Sequence, residues 1–373
     1  MYYNIYKMIK NKEIIINFKN LEHNVISIKN HVQKKELVAT LKADAYGHGL
    51  IQTFQFLKKR GINYFGLFWI DDALKLKKID KNTKILLYIN TDKSSIKNLV
   101  KFNITPFIAD YEYLSLIEKE CKKQNKKIKV HLKVDVGMNR YGIKIENAFN
   151  LAIQIQNSKL VELEGICTHL PTTENTKITE TQIEKFIYLI NELKQKNVNP
   201  KYIHASNSEH ITNYTINEKL NMVRPGLILY GYYSNPNSIN NNLKLKPVLS
   251  LYSKIIFIKN IKKGEQISYS GLFTAKKEMQ IGLVPVGYFD GIPQNTSNIF
   301  YYLIRNRKCF LRGKICMNIS IIEIPNDLKI NIGEKVEIIS ERLSLSILSK
   351  ESGISEYEIL CSIGKHEKKK YLY

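Results

Sequence analysis

VATLKADAYGHG, residues 38–49, is the stretch that decides both the fold and the chemistry. A mostly apolar run ends at Lys42, and a glycine-punctuated turn containing Tyr46 and His48 follows at once, before a helical pattern. This order predicts a buried strand that opens into a loop at Lys42. A lysine placed there loses its proton more readily than a solvated one, and its neutral amine can form an imine with an aldehyde cofactor. Most lysines at strand ends are simply solvated, so the stretch alone leaves that alternative open.

The first two-thirds of the chain alternates between short apolar runs and amphipathic stretches. Eight such runs within about 200 residues predict an α/β fold, the (β/α)8 barrel. The runs are 36–41, 64–68, 84–89, 104–108, 127–133, 161–167, 202–204 and 221–224. A further run at 13–18 either starts the barrel or belongs elsewhere. If it is excluded, Lys42 follows strand one and Arg224 follows strand eight, which makes the two residues neighbours.

A change of pattern near residue 242 marks a second domain. Alternating strand-like runs separated by turn signals replace the helical stretches, which predicts a mainly antiparallel β-domain. We therefore divide the chain into a barrel at 14–241 and a β-domain at 242–373, with residues 1–13 as a candidate strand packed on the β-domain. The length of 373 residues agrees with two domains.

Composition excludes several classes of protein. The chain is 44% hydrophobic and 24% charged, as globular proteins are, and no apolar run approaches the ~20 residues of a membrane span. The N-terminus lacks the apolar core of a signal peptide, so we expect a cytoplasmic protein. Five widely spaced cysteines without C-x-x-C, and eight histidines without H-E-x-x-H, predict neither a disulfide framework nor a metal site.

The net charge of +23 is the one unusual total. A polyanion such as nucleic acid, or a membrane surface, would explain it. The lysines, however, fall at helix ends and between elements instead of forming one arginine-rich stripe. We therefore favour a lysine-biased surface without a nucleic-acid or membrane partner.

Polar residues follow the barrel strands at the ends where barrel enzymes carry their chemistry. Lys42 and Tyr46 follow strand one, and strand five runs HLKVDVGMNRYG with Lys133 and Arg140. Strand six ends at His169. Strands seven and eight lead into HASNS, which ends at Ser208, and VRPGLILYG, which contains Arg224.

Eight strings in a fixed order carry a family resemblance over most of the chain. They are LKADAYGHG, HLKVDVGMNRYG, GICTHL, HASNS, MVRPGLILYG, ISYSG, VPVGYFDG and GKICMN. With them the chain resembles alanine racemase, a two-domain family with a barrel, a β-domain and the cofactor pyridoxal 5′-phosphate. The resemblance implies interconversion of L- and D-alanine, with D-alanine supplied to peptidoglycan.

The resemblance also assigns two bases. Lys42 would hold the cofactor covalently and act as one base, and Tyr269 in ISYSG would act as the other. Racemisation removes a proton from one face of a planar carbon and returns it to the other face, which two bases on opposite sides achieve directly. Arg224 would face the ring nitrogen of the cofactor. A guanidinium donates a hydrogen bond without losing its proton, which disfavours side reactions such as transamination.

The remaining roles come from the resemblance alone. The other residues implied at the cofactor are Tyr46, Arg140, His169, Asn207, Ser208, Gly226, Leu227 and Tyr357. Arg140, Tyr288 and Met317 would contact the substrate, and Lys133 matches a lysine that is carbamylated in many members. The family builds each active site from one barrel and the partner's β-domain, so we expect a homodimer with shared sites.

Three positions depart from the family pattern near the substrate. Pro171, Gln294 and Asn318 stand where other residues are usual, so a broader amino-acid racemase, acting for example on serine, is the alternative within the family. A decarboxylase of the same fold is disfavoured by Arg224. A barrel-only cofactor carrier is disfavoured by Tyr269 and the β-domain, and a basic nucleic-acid-binding module is the remaining alternative.

Overall fold

The structure, a computed structural model, describes residues 12–89, 93–171, 175–234, 243–365 and 368–373. Eight parallel strands form the barrel, and their ladder runs in the order β10-β2-β3-β4-β5-β6-β8-β9. The strands of this domain are β2 (Glu36–Thr40), β3 (Tyr64–Leu67), β4 (Lys84–Leu87), β5 (Thr105–Ile108), β6 (Ile128–Asp135), β7 (Ile143–Lys144), β8 (Val161–Cys167), β9 (Tyr202–His204) and β10 (Met222–Val223). The short β7 pairs beside β6. The predicted barrel is confirmed.

Two backbone hydrogen bonds close the seam between β9 and β10. The amide of Asn221 donates to the carbonyl of Ile203 over 3.0 Å, and that of Arg224 donates to the carbonyl of Ser206 over 2.9 Å. On its other side β10 pairs in parallel with β2, with Val223 opposite Leu37. Lys42 and Arg224 therefore follow strands that are direct neighbours.

Helices surround the barrel, and all but the short turn at Lys42–Tyr46 bury one face against it. They are α1 (Phe18–Val32), α2 (Lys42–Tyr46), α3 (Leu50–Lys59), α4 (Ile70–Ile79), α5 (Ile96–Phe102), α6 (Tyr111–Gln124), α7 (Ile145–Asn157), α8 (Thr176–Gln195) and α9 (Ser208–Asn213). α6 shows the local causes: the Asp110 side chain caps its first turn by accepting from the Tyr113 amide over 2.7 Å. Asn125 ends the helix in the left-handed region. Its buried residues Leu114, Ile117 and Cys121 recur at helical spacing and face the barrel.

α2 is a left-handed turn. Ala43, Asp44, Ala45 and Tyr46 all have φ between 54° and 56°, a conformation that costs roughly 1–2 kcal/mol for each non-glycine residue. Surrounding contacts hold it: the Asp44 carboxylate accepts from the Leu50 amide over 2.7 Å and pairs with Lys369 at 3.1 Å. The residue after the predicted strand one is thus presented by a strained, well-anchored turn.

In the described residues, the second domain contains three sheets, which are mainly antiparallel, and two α-helices. Its elements are β1 (Lys12–Asn17), β11 (Leu249–Lys254), β12 (Phe257–Ile261), β13 (Gln266–Ile267), β14 (Phe273–Thr274), β15 (Met279–Val284), β16 (Tyr301–Ile304), β17 (Arg307–Phe310), β18 (Ser320–Ile324), β19 (Lys335–Ile339), α10 (Leu345–Ser352), α11 (Glu356–Gly364) and β20 (Lys369–Leu372). One pair, β1 with β20, is parallel. The mainly antiparallel β-domain is confirmed, while α10, α11 and β20 were not predicted.

The strand near the N-terminus belongs to the second domain. β1 pairs with β11 on one side and with β20 on the other, inside a six-stranded sheet in the order β17-β16-β19-β11-β1-β20. The boundary predicted at residue 14 is therefore wrong for residues 14–17. An apolar run shows that a strand is buried, but it does not show which sheet buries it. Residues 1–11 and the boundary at 241/242 lie outside the described residues.

α11 packs directly on α2 and so joins the two domains beside Lys42. The contact is close because two glycines meet: a side chain on Gly364 would lie 2.1 Å from the carbonyl oxygen of Gly47. A side chain on Gly47 would lie 2.4 Å from the carbonyl oxygen of Leu360. The β-domain therefore fixes the turn that carries Lys42, and α11 brings Tyr357 to the barrel rim.

Candidate active site

A cavity of about 410 Å³ opens at the C-terminal ends of the barrel strands, and it brings together most of the predicted site. The predicted residues that line it are Lys42, Tyr46, Lys133, Arg140, His169, Asn207, Ser208, Arg224, Gly226 and Tyr357. Leu227 is fully buried next to Gly226. Predicted residues from five barrel strands or the loops after them, and one helix of the second domain, thus converge on one space.

Lys42 stands in this cavity at the start of the left-handed turn. Its side chain is exposed to the open space, yet the walls around it lower its pKa through desolvation, and the nearby charge of Arg140 lowers it further. The Nζ atom lies 6.0 Å from the ring centre of Tyr46. A lysine with a lowered pKa is neutral more of the time and so can act as a nucleophile and a base.

The cavity is strongly positive. Among the described residues that line it are Lys42, Lys133, Arg140 and Arg224, and no aspartate or glutamate. Burial and then the charge of Arg224 lower the pKa of His169 to about 2, so this ring stays neutral. The cavity is therefore suited to an anionic ligand.

One end of the cavity offers uncharged hydrogen-bonding groups. Ser208 Oγ accepts from the Gly226 amide over 2.8 Å, and the Tyr357 hydroxyl lies 2.8 Å from Ser234 Oγ. A side chain at Gly226 would lie 2.5 Å from the Tyr46 hydroxyl, so only glycine leaves this space open. Burial raises the pKa of Tyr46 and of Tyr357, and both hydroxyls therefore remain able to donate a proton in a hydrogen bond.

Arg224 is held rigidly at the barrel rim. Its guanidinium donates to the carbonyls of Thr168 over 2.7 Å and Ala205 over 3.2 Å, and to Nδ1 of His204. The residue is only 7% exposed. A buried guanidinium with three fixed acceptors has one orientation, which suits it to present a donor to a planar ligand.

Six further residues line the cavity that sequence reasoning missed. They are Thr40, Phe68, Tyr88, Ile89, Phe107 and Tyr141. The hydroxyls of Thr40 and Tyr88 lie 2.9 Å apart, and the Tyr141 hydroxyl donates to the Phe107 carbonyl over 3.1 Å. Several of these residues end a predicted strand or follow one, so the argument from strand ends could have found them.

Three predicted residues lie outside the cavity on exposed loops of the second domain. Tyr269 is 68%, Tyr288 42% and Met317 53% exposed. The loops are neighbours: the Tyr288 amide donates to the carbonyl of Cys316 over 3.1 Å, and Ser268 Oγ donates to the carbonyl of Lys314 over 2.6 Å. We call Tyr269, Tyr288 and Met317 the exposed triad.

Tyr269 sits on a turn with little freedom. Ser268 and Ser270 on either side have φ of 67° and 60°, and Gly271 has 56°. Gly313 allows the close approach of the next loop, because a side chain there would lie 2.4 Å from the carbonyl oxygen of Ile267. The exposed tyrosine is therefore held out by a strained backbone rather than by a loose loop.

The fold and the site together define a class of protein: a two-domain barrel protein with a lysine of lowered pKa in a positively charged cavity at the barrel rim. Two family models match the chain, the N-terminal domain of alanine racemase over residues 16–234 and its C-terminal domain over residues 248–371. The chain belongs to the alanine racemase family, whose cofactor is pyridoxal 5′-phosphate.

Individual relatives agree over the full length. The alanine racemase of Borreliella burgdorferi strain ZS7 is 63% identical over 370 residues, covering 99% of this chain and 100% of the relative. That of Treponema denticola is 33% identical, covering 94% and 95%. The solved alanine racemase of Clostridium difficile 630 superposes with a TM-score of 0.92 at 29% identity, covering 98% of this chain and 97% of that chain. No helix in the described residues is long and apolar enough to cross a membrane.

Proposed function

We propose that this protein interconverts L- and D-alanine with pyridoxal 5′-phosphate as cofactor, and that the D-alanine serves peptidoglycan synthesis in the cytoplasm. One observation carries the proposal: Lys42 and Arg224 follow paired neighbouring strands and line the same cavity. Full-length similarity to alanine racemases supports the choice of substrate. No observation favours the broader serine racemase. The side chain of Gln294 donates a hydrogen bond to the backbone carbonyl of Ile315 over 2.9 Å, which is a structural contact.

The residues of the cavity fit the proposed cofactor. The uncharged end at Ser208, Gly226 and Tyr357 would hold its phosphate, since the backbone there is open only because Gly226 lacks a side chain. Lys42 would bind its aldehyde carbon, and Arg224 would donate to its ring nitrogen. When bound, the cofactor supplies an electron-withdrawing ring that makes the proton on the substrate Cα more acidic.

Lys42 and Tyr269 would move the proton at that Cα. Lys42, with its lowered pKa, takes or returns the proton on one side of the carbon. Tyr269 does so on the other side. Arg140 and the positive walls bind the substrate carboxylate, and the neutral ring of His169 adds no further charge.

A second copy of the chain would allow Tyr269 to reach an active-site cavity. The exposed triad lies outside the cavity, while Tyr269 is held out on a rigid turn. We propose a homodimer in which the exposed triad of each subunit completes the cavity of its partner. The apolar side chains of Leu272 and Phe289 beside the triad are 52% and 50% exposed, and the dimer would cover part of this apolar surface.

A panel assay tests the activity. The protein is purified with pyridoxal 5′-phosphate, and loss of optical activity is followed from both enantiomers of alanine, serine and several larger amino acids. We expect turnover in both directions with alanine, and much less with the others. Turnover of another amino acid without turnover of alanine would show that the proposed substrate is wrong.

We further propose that Lys133 is carbamylated. Burial lowers the pKa of Lys133 to about 8, so its amine is neutral far more often than that of an ordinary lysine and is able to react with CO₂. The carbamate would also place one negative charge among the cations of the cavity. A carbon-13 NMR signal from labelled bicarbonate should appear in the wild-type protein, vanish in Lys133→Ala and persist in Lys129→Ala. A signal that survives Lys133→Ala would refute the assignment.

A further inference from the structure

A line of buried polar side chains runs through the barrel interior away from the active-site cavity. It begins at Arg224, whose guanidinium donates to Nδ1 of His204. Nε2 of His204 lies 2.8 Å from Nδ1 of His131. Nε2 of His131 in turn lies 3.5 Å from a carboxylate oxygen of Glu164, an electrostatic contact longer than a good hydrogen bond. Both histidines are fully buried and Glu164 is 4% exposed.

Glu164 lies toward the opposite end of the barrel from the active site. It faces a separate cavity of about 220 Å³ at the N-terminal ends of the strands. There it accepts from Tyr64 over 3.2 Å and from Lys129 over 2.9 Å. Although burial raises its pKa, the contacts of His131 and Lys129 outweigh that effect and lower the pKa of Glu164 to about 2. Glu164 is therefore a carboxylate.

Two local features of the backbone build this line. Val130 lies opposite Leu163 and His131 opposite Gly165, so Glu164 is the extra residue of a β-bulge. A bulge changes the direction of a side chain, and here it places a carboxylate beside His131. Gly165 makes room for the ring, since a side chain there would lie 2.5 Å from atoms of His131.

The chemistry of the groups fixes the position of every proton. Arg224 can only donate, so Nδ1 of His204 has a lone pair and Nε2 carries the hydrogen. That hydrogen is donated to Nδ1 of His131, so His131 carries its own hydrogen on Nε2, beside the carboxylate. The opposite tautomer of His131 would set a lone pair against the negative charge of Glu164. Burial lowers the pKa of both rings, which keeps them neutral.

We propose that Glu164 is a positioning residue for Arg224: by fixing the tautomers of His131 and His204, it keeps an acceptor in front of the guanidinium. The role in turnover rests on the proposed function, whereas the tautomers do not depend on it. Without Glu164 only the guanidinium of Arg224 favours this order of protons, so the reversed pair of tautomers becomes more populated. Nδ1 of His204 would then carry a hydrogen that points at a group with only hydrogens of its own.

Nitrogen-15 NMR of histidine-labelled, cofactor-free protein tests the order of the protons. In the wild type, His131 and His204 should both show a single neutral tautomer with hydrogen on Nε2, unchanged from pH 6 to pH 8. Signals are assigned with single histidine substitutions. A wild-type spectrum with hydrogen on Nδ1 of His204 would overturn the proposal without touching the proposed activity.

Three variants separate the role of Glu164 from general stability. Glu164→Leu removes the acceptor, Glu164→Gln keeps the shape but can accept or donate, and Glu162→Gln is the matched control. Glu162 lies on the same strand and pairs with the same Lys129 at 3.4 Å, but its side chain is 61% exposed. Glu164→Leu should give mixed tautomers and a kcat for alanine about 10-fold lower with an unchanged KM. Glu164→Gln should fall between it and the control.

The remaining outcomes also test the proposal. A Glu164→Leu protein that keeps both tautomers contradicts the proposal, whatever its activity, and mixed tautomers with a wild-type kcat contradict the link to Arg224. If Glu164→Leu does not fold, the isosteric Glu164→Gln must show the mixed tautomers instead. Gly165→Ala, which displaces His131 but leaves Glu164 intact, should reproduce the loss of kcat.

Discussion

The barrel rim and the exposed triad contain the two halves of the proposed site, and one half is buried while the other is exposed. At the rim, ten predicted residues share one cavity, and side chains such as Arg224 and Lys133 are buried among like charges. The triad has similar backbone strain at Tyr269 but no cover. Strain is retained where surrounding contacts over-determine it, and the strained yet exposed turn at Tyr269 is the feature that the proposed dimer explains.

The largest effect is expected at the rim. Lys42→Ala removes both the covalent attachment and one base, so kcat/KM for alanine should fall by about 10³-fold or more in both directions. Lys75→Ala, an exposed lysine paired with Asp72, is the control and should leave turnover unchanged. The visible absorbance of the lysine-bound cofactor should disappear only in Lys42→Ala. Near-normal turnover in that variant would rule out the proposed mechanism.

The next effect tests the exposed triad. Tyr269→Phe removes one hydroxyl, and loss of a general base typically lowers kcat by about 10²–10⁴-fold. Tyr188→Phe is a matched control, since Tyr188 is also an exposed tyrosine, at 64%. Both variants should unfold near the wild-type temperature, because each change removes a single hydroxyl from an exposed side chain and keeps the ring. Equal activities of the two variants would mean that Tyr269 is an ordinary surface residue.

A mixing experiment tests whether the Lys42 and the Tyr269 of one active site come from different subunits. Lys42→Ala and Tyr269→Phe proteins are unfolded together and refolded in equal amounts. Half of the dimers should be mixed, each with one intact site, so activity should return to about a quarter of the wild-type value. Each protein refolded alone is the control. Complete absence of recovery, with mixed dimers demonstrated by mass, would place Tyr269 and Lys42 in the same subunit.

The smallest effect concerns the cost of burying charge at the rim. The pKa of Lys133 falls from 10.5 to about 8 on folding. Between these values the unfolded chain binds more protons, so stability rises with pH across that window. In cofactor-free, CO₂-free protein, Lys133→Met should therefore raise the free energy of unfolding by roughly 3 kcal/mol at pH 7 and by little above pH 10.

Denaturant unfolding at both pH values measures this difference. Lys129→Met is the control with the opposite sign: the hydrogen bond that Lys129 donates to Glu164 raises the pKa of Lys129, so loss of this bond should lower stability at pH 7. A Lys133→Met protein that is less stable than wild type at pH 7 would show that the burial of Lys133 does not destabilise the fold.

The sequence predicted the barrel half of the site because the ends of strands can be recognised in a sequence. Apolar runs mark strands, parallel strands end on one rim, and residues such as Lys42 and His169 follow those ends. Tyr88 follows the same rule but was not predicted, because it is neither charged nor part of a family motif. The left-handed turn after Lys42 could not be foreseen, since neither alanine nor tyrosine favours positive φ.

The strand pairing of the second domain was harder to predict from the sequence, for a different reason. Alternation predicts that a strand has one buried face, but register and partner depend on contacts far along the chain. β1 finds its neighbours β11 and β20 at such distances. The position of the exposed triad came from the family resemblance, and no local pattern separates Tyr269 from the other 22 of the chain's 23 tyrosines.

The pairing of β1 also has a consequence for how the chain is made. Ile14 lies beside Leu251 on one side and Lys369 on the other, so both neighbours of the first described strand are synthesised only after the barrel strands. During synthesis the whole barrel emerges while β1 waits with both edges unpaired. The barrel is in effect an insertion in the β-domain. A chain that stopped before Lys369 would contain every barrel residue of the site, yet it would leave one edge of β1 without a partner.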